Sequence, residues 1–449
     1  MAVIRRRVAS RGLAAGEKLP SIRALARQMQ VSPSTVVEAY DRLVAEGLVR
    51  ARPGSGFYVA GFAPAALHAE PAPPRDRAID PFWVSRQSLD AAPGTLRPGC
   101  GWLPPDWMPA PVIRRALRTL ARAEPGVLAD YGATRGSPAL RALIARRSVA
   151  DGIEIGAEQV LLTSSGTQAV DLVCRLLLEP GDTVLVDDPC YFNFLATLRT
   201  HRMQLVSVPY SPTGPDLDAF AEALARHRPR LYLTNTALHN PTGATLAPAV
   251  AHRLLSLAAA HHLTIVEDEI FADFEPDPTP RLAALDGLAR VIRIGSFSKT
   301  LSASIRCGYV VARPDIVERL IDLQVATQFG GPGPMAAEIV ATTLADGCYR
   351  RHLAELRTRL ARQRQDVAAR LGTLGIVPWT VPRGGFYLWC RLPGQRDAAD
   401  VARAALREGV VLAPGNVFSL AQSATGLMRF NVAQMNDAAF RVLRNALDG

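Results

Sequence analysis

Apolar residues at Ile22, Leu25, Ala26 and Met29 recur at the spacing of one helix face, so residues 21–29 are expected to form a short helix. After Val31, Ser32 and Pro33 read as an N-cap followed by a proline at the first helical position. The helix they open is expected to run to about Glu46, with Val36, Tyr40, Leu43 and Val44 inward and Ser34, Thr35, Glu38, Asp41 and Arg42 outward. Gly47 ends it. Residues 48–50 and 57–59 read as two short strands joined by the turn Arg52-Pro53-Gly54-Ser55-Gly56. Two helices and a basic-tipped hairpin predict a winged helix-turn-helix over residues 1–60.

From 61 to 94 the periodicity fades and Ala and Pro dominate, as in Ala63-Pro64-Ala65-Ala66 and Pro71-Ala72-Pro73-Pro74; this stretch is expected to be a linker. From 95 to 449 the pattern changes again. Apolar runs at 160–163, 183–186, 231–234, 264–267 and 291–294 alternate with helical stretches such as 167–178 and 247–262, which predicts an α/β fold with a mainly parallel sheet. Arg-rich helices are expected at about 315–326 and 349–372, and a smaller α+β subdomain over about 327–449. No apolar run approaches the roughly 18 residues of a membrane span. Arg5-Arg6-Arg7 leads into no apolar core of a signal peptide, so no membrane partner is expected. The six cysteines, at 100, 174, 190, 307, 348 and 390, form no CxxC pair, which fits a reducing cytoplasm better than a disulfide framework or a metal site.

Charge sharpens the picture at the N-terminus. The formal net charge is +10, and residues 1–60 alone carry ten Lys/Arg against four acids. Such a basic block suggests nucleic acid, although a solvated surface would look the same by charge alone. Lysine usage is more telling. Only Lys18 and Lys299 occur among the 51 basic residues. Where arginine serves as the generic cation, a lysine kept deep in the chain is a candidate for work that needs an amine able to lose its proton, such as Schiff-base chemistry.

Four segments following expected strands carry candidate chemistry, at the edge where an open α/β sheet places its ligand. Ser164-Ser165-Gly166-Thr167 opens a helix and offers free amides to a phosphate. His239-Asn240-Pro241-Thr242-Gly243 places an amide donor in a turn. Glu267-Asp268-Glu269 sets three acids at a strand end, where a buried carboxylate needs a cationic partner. Gly295-Ser296-Phe297-Ser298-Lys299-Thr300, with Arg306 beyond, suits an amine anchor beside a phosphate clamp. Taken singly, each also reads as a capped helix, a plain turn or a solvated acidic loop.

Together, and with Arg429-Phe430-Asn431-Val432-Ala433 near the end, the ordered set resembles the fold-type I pyridoxal 5'-phosphate (PLP) enzymes of the aspartate aminotransferase superfamily. The resemblance implies that Lys299 is the catalytic lysine, holding the cofactor as an aldimine. By the same resemblance Asp268 pairs the pyridine nitrogen, Asn240 serves the ring hydroxyl and Tyr191 stacks on the ring. It implies that Ser165, Gly166, Thr167, Ser296 and Arg306 hold the phosphate, that Tyr131 reaches the phosphate across a dimer interface, and that Arg429 binds an α-carboxylate. Many family members carry a tyrosine where Phe271 stands, a departure that bears on turnover more than on cofactor binding.

Residues 1–60 resemble the GntR-family winged helix through Lys18-Leu19-Pro20-Ser21-Ile22-Arg23, Val31-Ser32-Pro33-Ser34-Thr35-Val36 and the Gly54-Ser55-Gly56 wing. That likeness implies DNA contacts from Arg23, Ser34, Thr35, Arg52, Gly54 and Gly56. Both modules in this order resemble the MocR subfamily of GntR regulators. The implied protein is a cytoplasmic, homodimeric transcription regulator that binds an operator duplex and senses PLP, an amino acid or another amine. A PLP-dependent aminotransferase with an appended DNA-binding domain is the alternative, and a scaffold with a disused site is a third reading.

Overall fold

The computed structural model describes residues 2–9, 12–60 and 80–448. The chain divides into two units after Arg77. In the first, α1 (Ala2–Ala9), α2 (Ile22–Met29) and α3 (Pro33–Ala45) precede the antiparallel hairpin of β1 (Val49–Arg52) and β2 (Gly56–Val59). Ser21 caps α2 by accepting from the Ala24 amide at 3.2 Å, and Ser32 caps α3 by accepting from the Thr35 amide at 3.2 Å. The wing turns tightly because Gly54 and Gly56 take positive φ, 69° and 108°, which side chains resist. Leu19, Ala26, Val36, Tyr40, Leu43, Val49 and Val59 form the core of this unit. Each buried Val or Leu contributes about 1.5–3 kcal/mol. The Tyr40 hydroxyl donates to the Pro20 carbonyl at 2.7 Å, fixing α3 to the approach of α2.

The expected linker is corrected at its far end. Residues 61–79 lie outside the described residues. Beyond them Asp80 accepts from the Trp83 amide at 2.8 Å, and Pro81–Leu89 is a helix, α4. Trp83 and Val84 are buried in the second unit's core. Two turns of helix with so few inward positions leave little periodicity, and the Ala/Pro composition just upstream concealed them.

The second unit is built on an eight-stranded sheet. In chain order its strands are β3 (Val160–Thr163), β4 (Thr183–Asp188), β5 (Gln204–Ser211), β6 (Gly214–Pro215), β7 (Leu231–Thr234), β8 (Thr264–Asp268), β9 (Val291–Ser296) and β10 (Gly308–Val311). Their spatial order is β3-β10-β9-β8-β7-β4-β5-β6. The pairs from β9 through β8, β7 and β4 to β5 are parallel, while β10 runs antiparallel to both neighbours and β6 to β5. Strands β3, β4, β7, β8 and β9 are almost entirely buried, as a sheet covered on both faces requires. From β4 the chain runs outward to β5 and β6, and from β7 it runs the other way to β8, β9 and β10, so the order reverses between the neighbours β4 and β7, where the carboxyl ends of the parallel strands open onto one crevice. A separate antiparallel sheet follows, of Val377–Pro378, Tyr387–Arg391, Leu427–Asn431 and Ala413–Pro414 in spatial order. Among the described residues no helix is long and apolar enough to cross a membrane, and all six cysteines are free.

Candidate functional site

The crevice holds a cavity of about 200 Å³ into which the strand ends deliver side chains. After β3, Ser165 caps the helix α5 (Gly166–Leu177) by accepting from the Gln168 amide at 3.0 Å. The first-turn amides of α5 face the cavity with the positive end of its dipole. Close approach of this turn to β10 depends on Gly308, where a Cβ would lie 2.8 Å from the Ser165 carbonyl carbon. Ser296, at the end of β9, donates to Ser298 at 3.0 Å. Arg306 stands at the rim with its backbone in the left-handed region, φ 54°, a conformation that the surrounding structure must hold. Two serines, a helix N-terminus and a guanidinium thus line one cavity, a donor set suited to a dianion.

Lys299 and Asp268 line the same cavity. Asp268 is buried and Lys299 half-buried. Burial disfavours the ammonium form and pulls Lys299 down to about 8, with Arg429 and Arg306 acting in the same sense. Burial likewise pushes Asp268 up to about 6, opposed by the Ile270 amide, which donates to its carboxylate at 3.0 Å. Among the described residues no ion pair reaches Asp268. A protonated ring nitrogen is the kind of partner such a carboxylate lacks.

The three adjacent acids do separate work, and none is solvated. Glu267 accepts from the amides of Leu282 and Ala283, at 2.9 and 2.8 Å, and from Thr236 at 2.6 Å. Asp268 lines the cavity. Glu269 turns away from it to pair with Arg281 at 2.6 Å and with Arg293. The alternation of an extended chain sends neighbouring residues to opposite faces, so one carboxylate serves the site while the next is locked behind it.

All but one of the expected cofactor residues line this cavity: Ser165, Gly166, Thr167, Tyr191, Asn240, Asp268, Ser296, Lys299 and Arg306 do. Tyr131 does not. It is 78 % exposed and packs on Phe329, ring centres 4.9 Å apart. Arg429 is fully buried behind the lining. It donates to Asn240 Oδ1 at 2.7 Å and to the Gly99 carbonyl at 2.8 Å, and its Nε has no partner. That Nε is a donor left over for a further acceptor. With Oδ1 so engaged, Asn240 keeps its amide N–H groups for the cavity. Phe271 is buried against Phe386 and Tyr387.

Several wall residues went unread in the sequence. Gly101, Trp102 and Phe192 carry no motif. Tyr387 sits in Gly384-Gly385-Phe386-Tyr387, whose glycine pair was the available signal. Val84, Ser85 and Ser88 come from α4. The Asp80-Pro81 cap was their signal.

On the first unit, Arg23, Ser34, Thr35, Arg52, Gly54 and Gly56 are all exposed. The Ser32 hydroxyl lies 2.8 Å from those of Ser34 and Thr35, so the start of α3 is a hydroxyl cluster. Arg52 rests 4.6 Å over the Tyr58 ring at the wing, and Arg42 pairs with Glu38 along α3.

Comparison with known proteins bears on both units. Residues 105–447 match the family described as aminotransferase class I and II, and residues 1–59 match bacterial regulatory proteins of the gntR family. The HTH-type transcriptional regulator YdcR of Escherichia coli (strain K12) is 30 % identical over 446 residues, 96 % of this chain and 93 % of that protein. YisV of Bacillus subtilis (strain 168), also an HTH-type transcriptional regulator, is 28 % identical over 94 % of this chain and 90 % of its own length. Among solved structures, the α-aminoadipate aminotransferase LysN of Thermus thermophilus, complexed with N-(5'-phosphopyridoxyl)-L-leucine, superposes with TM-score 0.74 at 28 % identity. That match covers 82 % of this chain and 94 % of that one.

Proposed function

The chain belongs to the aminotransferase class I and II family and carries a gntR-family domain ahead of it, the MocR arrangement, and on that premise we propose that it is a DNA-binding transcription regulator holding PLP at Lys299 and sensing an amino compound there. The observation that carries the reading is the convergence of Lys299, Asp268, Asn240 and the α5 turn on one cavity, in a chain that also presents a basic winged helix. A cytoplasmic location and a homodimer are part of the proposal.

When bound, PLP supplies a carbonyl for the amine and a ring that withdraws electrons. The residues do the rest. Ser165, Gly166, Thr167, Ser296 and Arg306 hold the phosphate. Asp268 stays ionised beside a ring cation and keeps it protonated. Tyr191, whose phenol burial pushes up to about 12, remains neutral and provides a face for stacking. Lys299, whose amine gives its proton up easily, would be the residue that anchors the cofactor's carbonyl. Sensing requires that the amine-bound and amine-free forms bind operator with different affinity. The exposed Tyr131–Phe329 pair is proposed as subunit-interface surface, which would bring Tyr131 to the partner's phosphate.

Arg429 separates classes of effector. Arg429→Gln is expected to weaken the response to an amino acid by about tenfold more than the response to its decarboxylated amine, since only the carboxylate calls for a guanidinium. Paired absorbance titrations with the two ligands check this; equal losses for both would contradict the assignment.

The DNA half is tested with a duplex selected from random sequence by the full-length chain. Arg52→Ala is expected to reduce the slope of log K against log salt by about one, the mark of one lost phosphate contact. An unchanged slope would remove Arg52 from the interface.

The aminotransferase alternative draws support from the LysN likeness and the near-complete site. It predicts keto-acid formation at about 1 s⁻¹ or faster from a suitable amino acid.

A further inference from the structure

The cavity wall contains a polar atom that nothing in the protein satisfies. Tyr387 lies on the strand Tyr387–Arg391, is 4 % exposed and lines the cavity, yet its buried hydroxyl has no hydrogen-bond partner. A buried hydroxyl left unpaired is costly, and native structures retain one chiefly where a ligand or ordered water completes it. The ring cannot swing to find another partner. It is clamped by Phe386 at 4.5 Å, by the edge of Phe271 at 5.4 Å and by the Arg429 guanidinium at 4.2 Å over its face. Its strand pairing with Asn431 fixes the backbone beneath.

The hydroxyl also faces the reactive centre. A Cβ placed on Gly101 would lie 3.2 Å from the Tyr387 hydroxyl oxygen and 3.8 Å from Lys299 Nζ. The phenol and the amine therefore border one small space, kept clear by a glycine. Burial pushes the phenol well above its ordinary range, so at neutral pH it is a donor, never an anion. Against its ring packs Phe271, which lines the same cavity and has no hydroxyl to offer.

We propose that Tyr387 is a cofactor-binding residue whose hydroxyl donates to the phenolic oxygen of PLP alongside Asn240, supplying from the small antiparallel sheet the donor that Phe271 cannot supply from the end of β8. The inference rests on the cofactor reading above. Its consequence is electronic. A donor to that oxygen favours the state in which the oxygen carries most negative charge, which is the state after the lysine-bound cofactor has lost its proton. Removing the donor must raise the pH at which that proton leaves.

The test is a pH titration of the visible absorbance of the PLP-loaded full-length chain, without amine, for the parent, Y387F and F271Y/Y387F. Y387F is expected to bind the proton about tenfold more tightly, a midpoint higher by about one pH unit. F271Y/Y387F, which returns a hydroxyl from the facing ring, is expected to recover the parent midpoint. That recovery is a response that a merely structural role for Tyr387 would not produce. If Y387F cannot retain cofactor, the double variant decides: a parent-like midpoint supports the proposal, and one that stays raised overturns it. A parent that takes up no PLP overturns the cofactor reading and this inference with it. A parent that loads normally, with Y387F proton affinity within about twofold of it, overturns this inference alone.

Discussion

Lys299→Ala is expected to leave a folded, DNA-binding chain from which PLP is lost on gel filtration and in which no amine changes operator affinity. The size of the effect follows from the amine's setting. At about 8, against an ordinary 10.5, the side chain is neutral in about one molecule in ten at pH 7, where an ordinary lysine is neutral in roughly one in three thousand. Only the neutral amine is a nucleophile. The sign for pH follows. Burial depresses the affinity for the proton, so capture of PLP by the free chain should quicken about tenfold per pH unit up to about pH 8 and level off above it. Stopped-flow absorbance of the parent checks the profile, and equilibrium dialysis of the variant checks retention. A variant whose DNA binding and regulation were indifferent to the change would favour the scaffold reading.

Glu269→Gln is expected to cost about 3–5 kcal/mol of stability in the second unit, the range for removing one partner from a buried charge cluster. Glu269 is 5 % exposed and sits between Arg281 and Arg293, which are 2 % and 4 % exposed. Arg281 keeps Glu275 at 2.7 Å and Arg293 keeps Asp151 at 2.5 Å, so the loss falls short of two orphaned cations. The exposed Glu38–Arg42 pair on α3 gives the contrast, and Glu38→Gln should cost no more than about 0.5 kcal/mol. Urea unfolding of the two variants measures both. A Glu269→Gln loss below about 1 kcal/mol would contradict the account of that network.

Much of the second unit could be read from pattern because its strands are buried on both faces and its turns are punctuated. The apolar runs at 160–163 and 231–234 coincide with β3 and β7, and those at 183, 264 and 291 begin where β4, β8 and β9 begin. Local residues also announced the segments that gather at the cavity, since Ser165-Gly166-Thr167, Asp268 and Ser296 to Lys299 lie immediately after strands. The walls supplied from a distance were silent. Gly101 and Phe192 reach the cavity only through tertiary packing, and no spacing in the chain reports it. The same holds for orientation. Glu267, Asp268 and Glu269 read as one acidic cluster, and only the alternation at the end of β8 turns Asp268 to the cavity and leaves Glu267 to a helix start and Glu269 to two arginines. Tyr131 and Arg429 show the limit most plainly. Their motifs are intact, yet one is exposed against Phe329 and the other is held by Asn240. A single chain shows neither a partner subunit nor a bound carboxylate.

The central claim is that one cavity both holds PLP and sets operator affinity. It is tested most directly by titrating the PLP-loaded chain with a panel of amino acids and amines while visible absorbance and fluorescence anisotropy of a selected operator duplex are read from the same sample. The account predicts that at least one ligand shifts both signals with a common midpoint, and that Lys299→Ala abolishes both responses. Absorbance changes with operator affinity constant across the whole panel would contradict it.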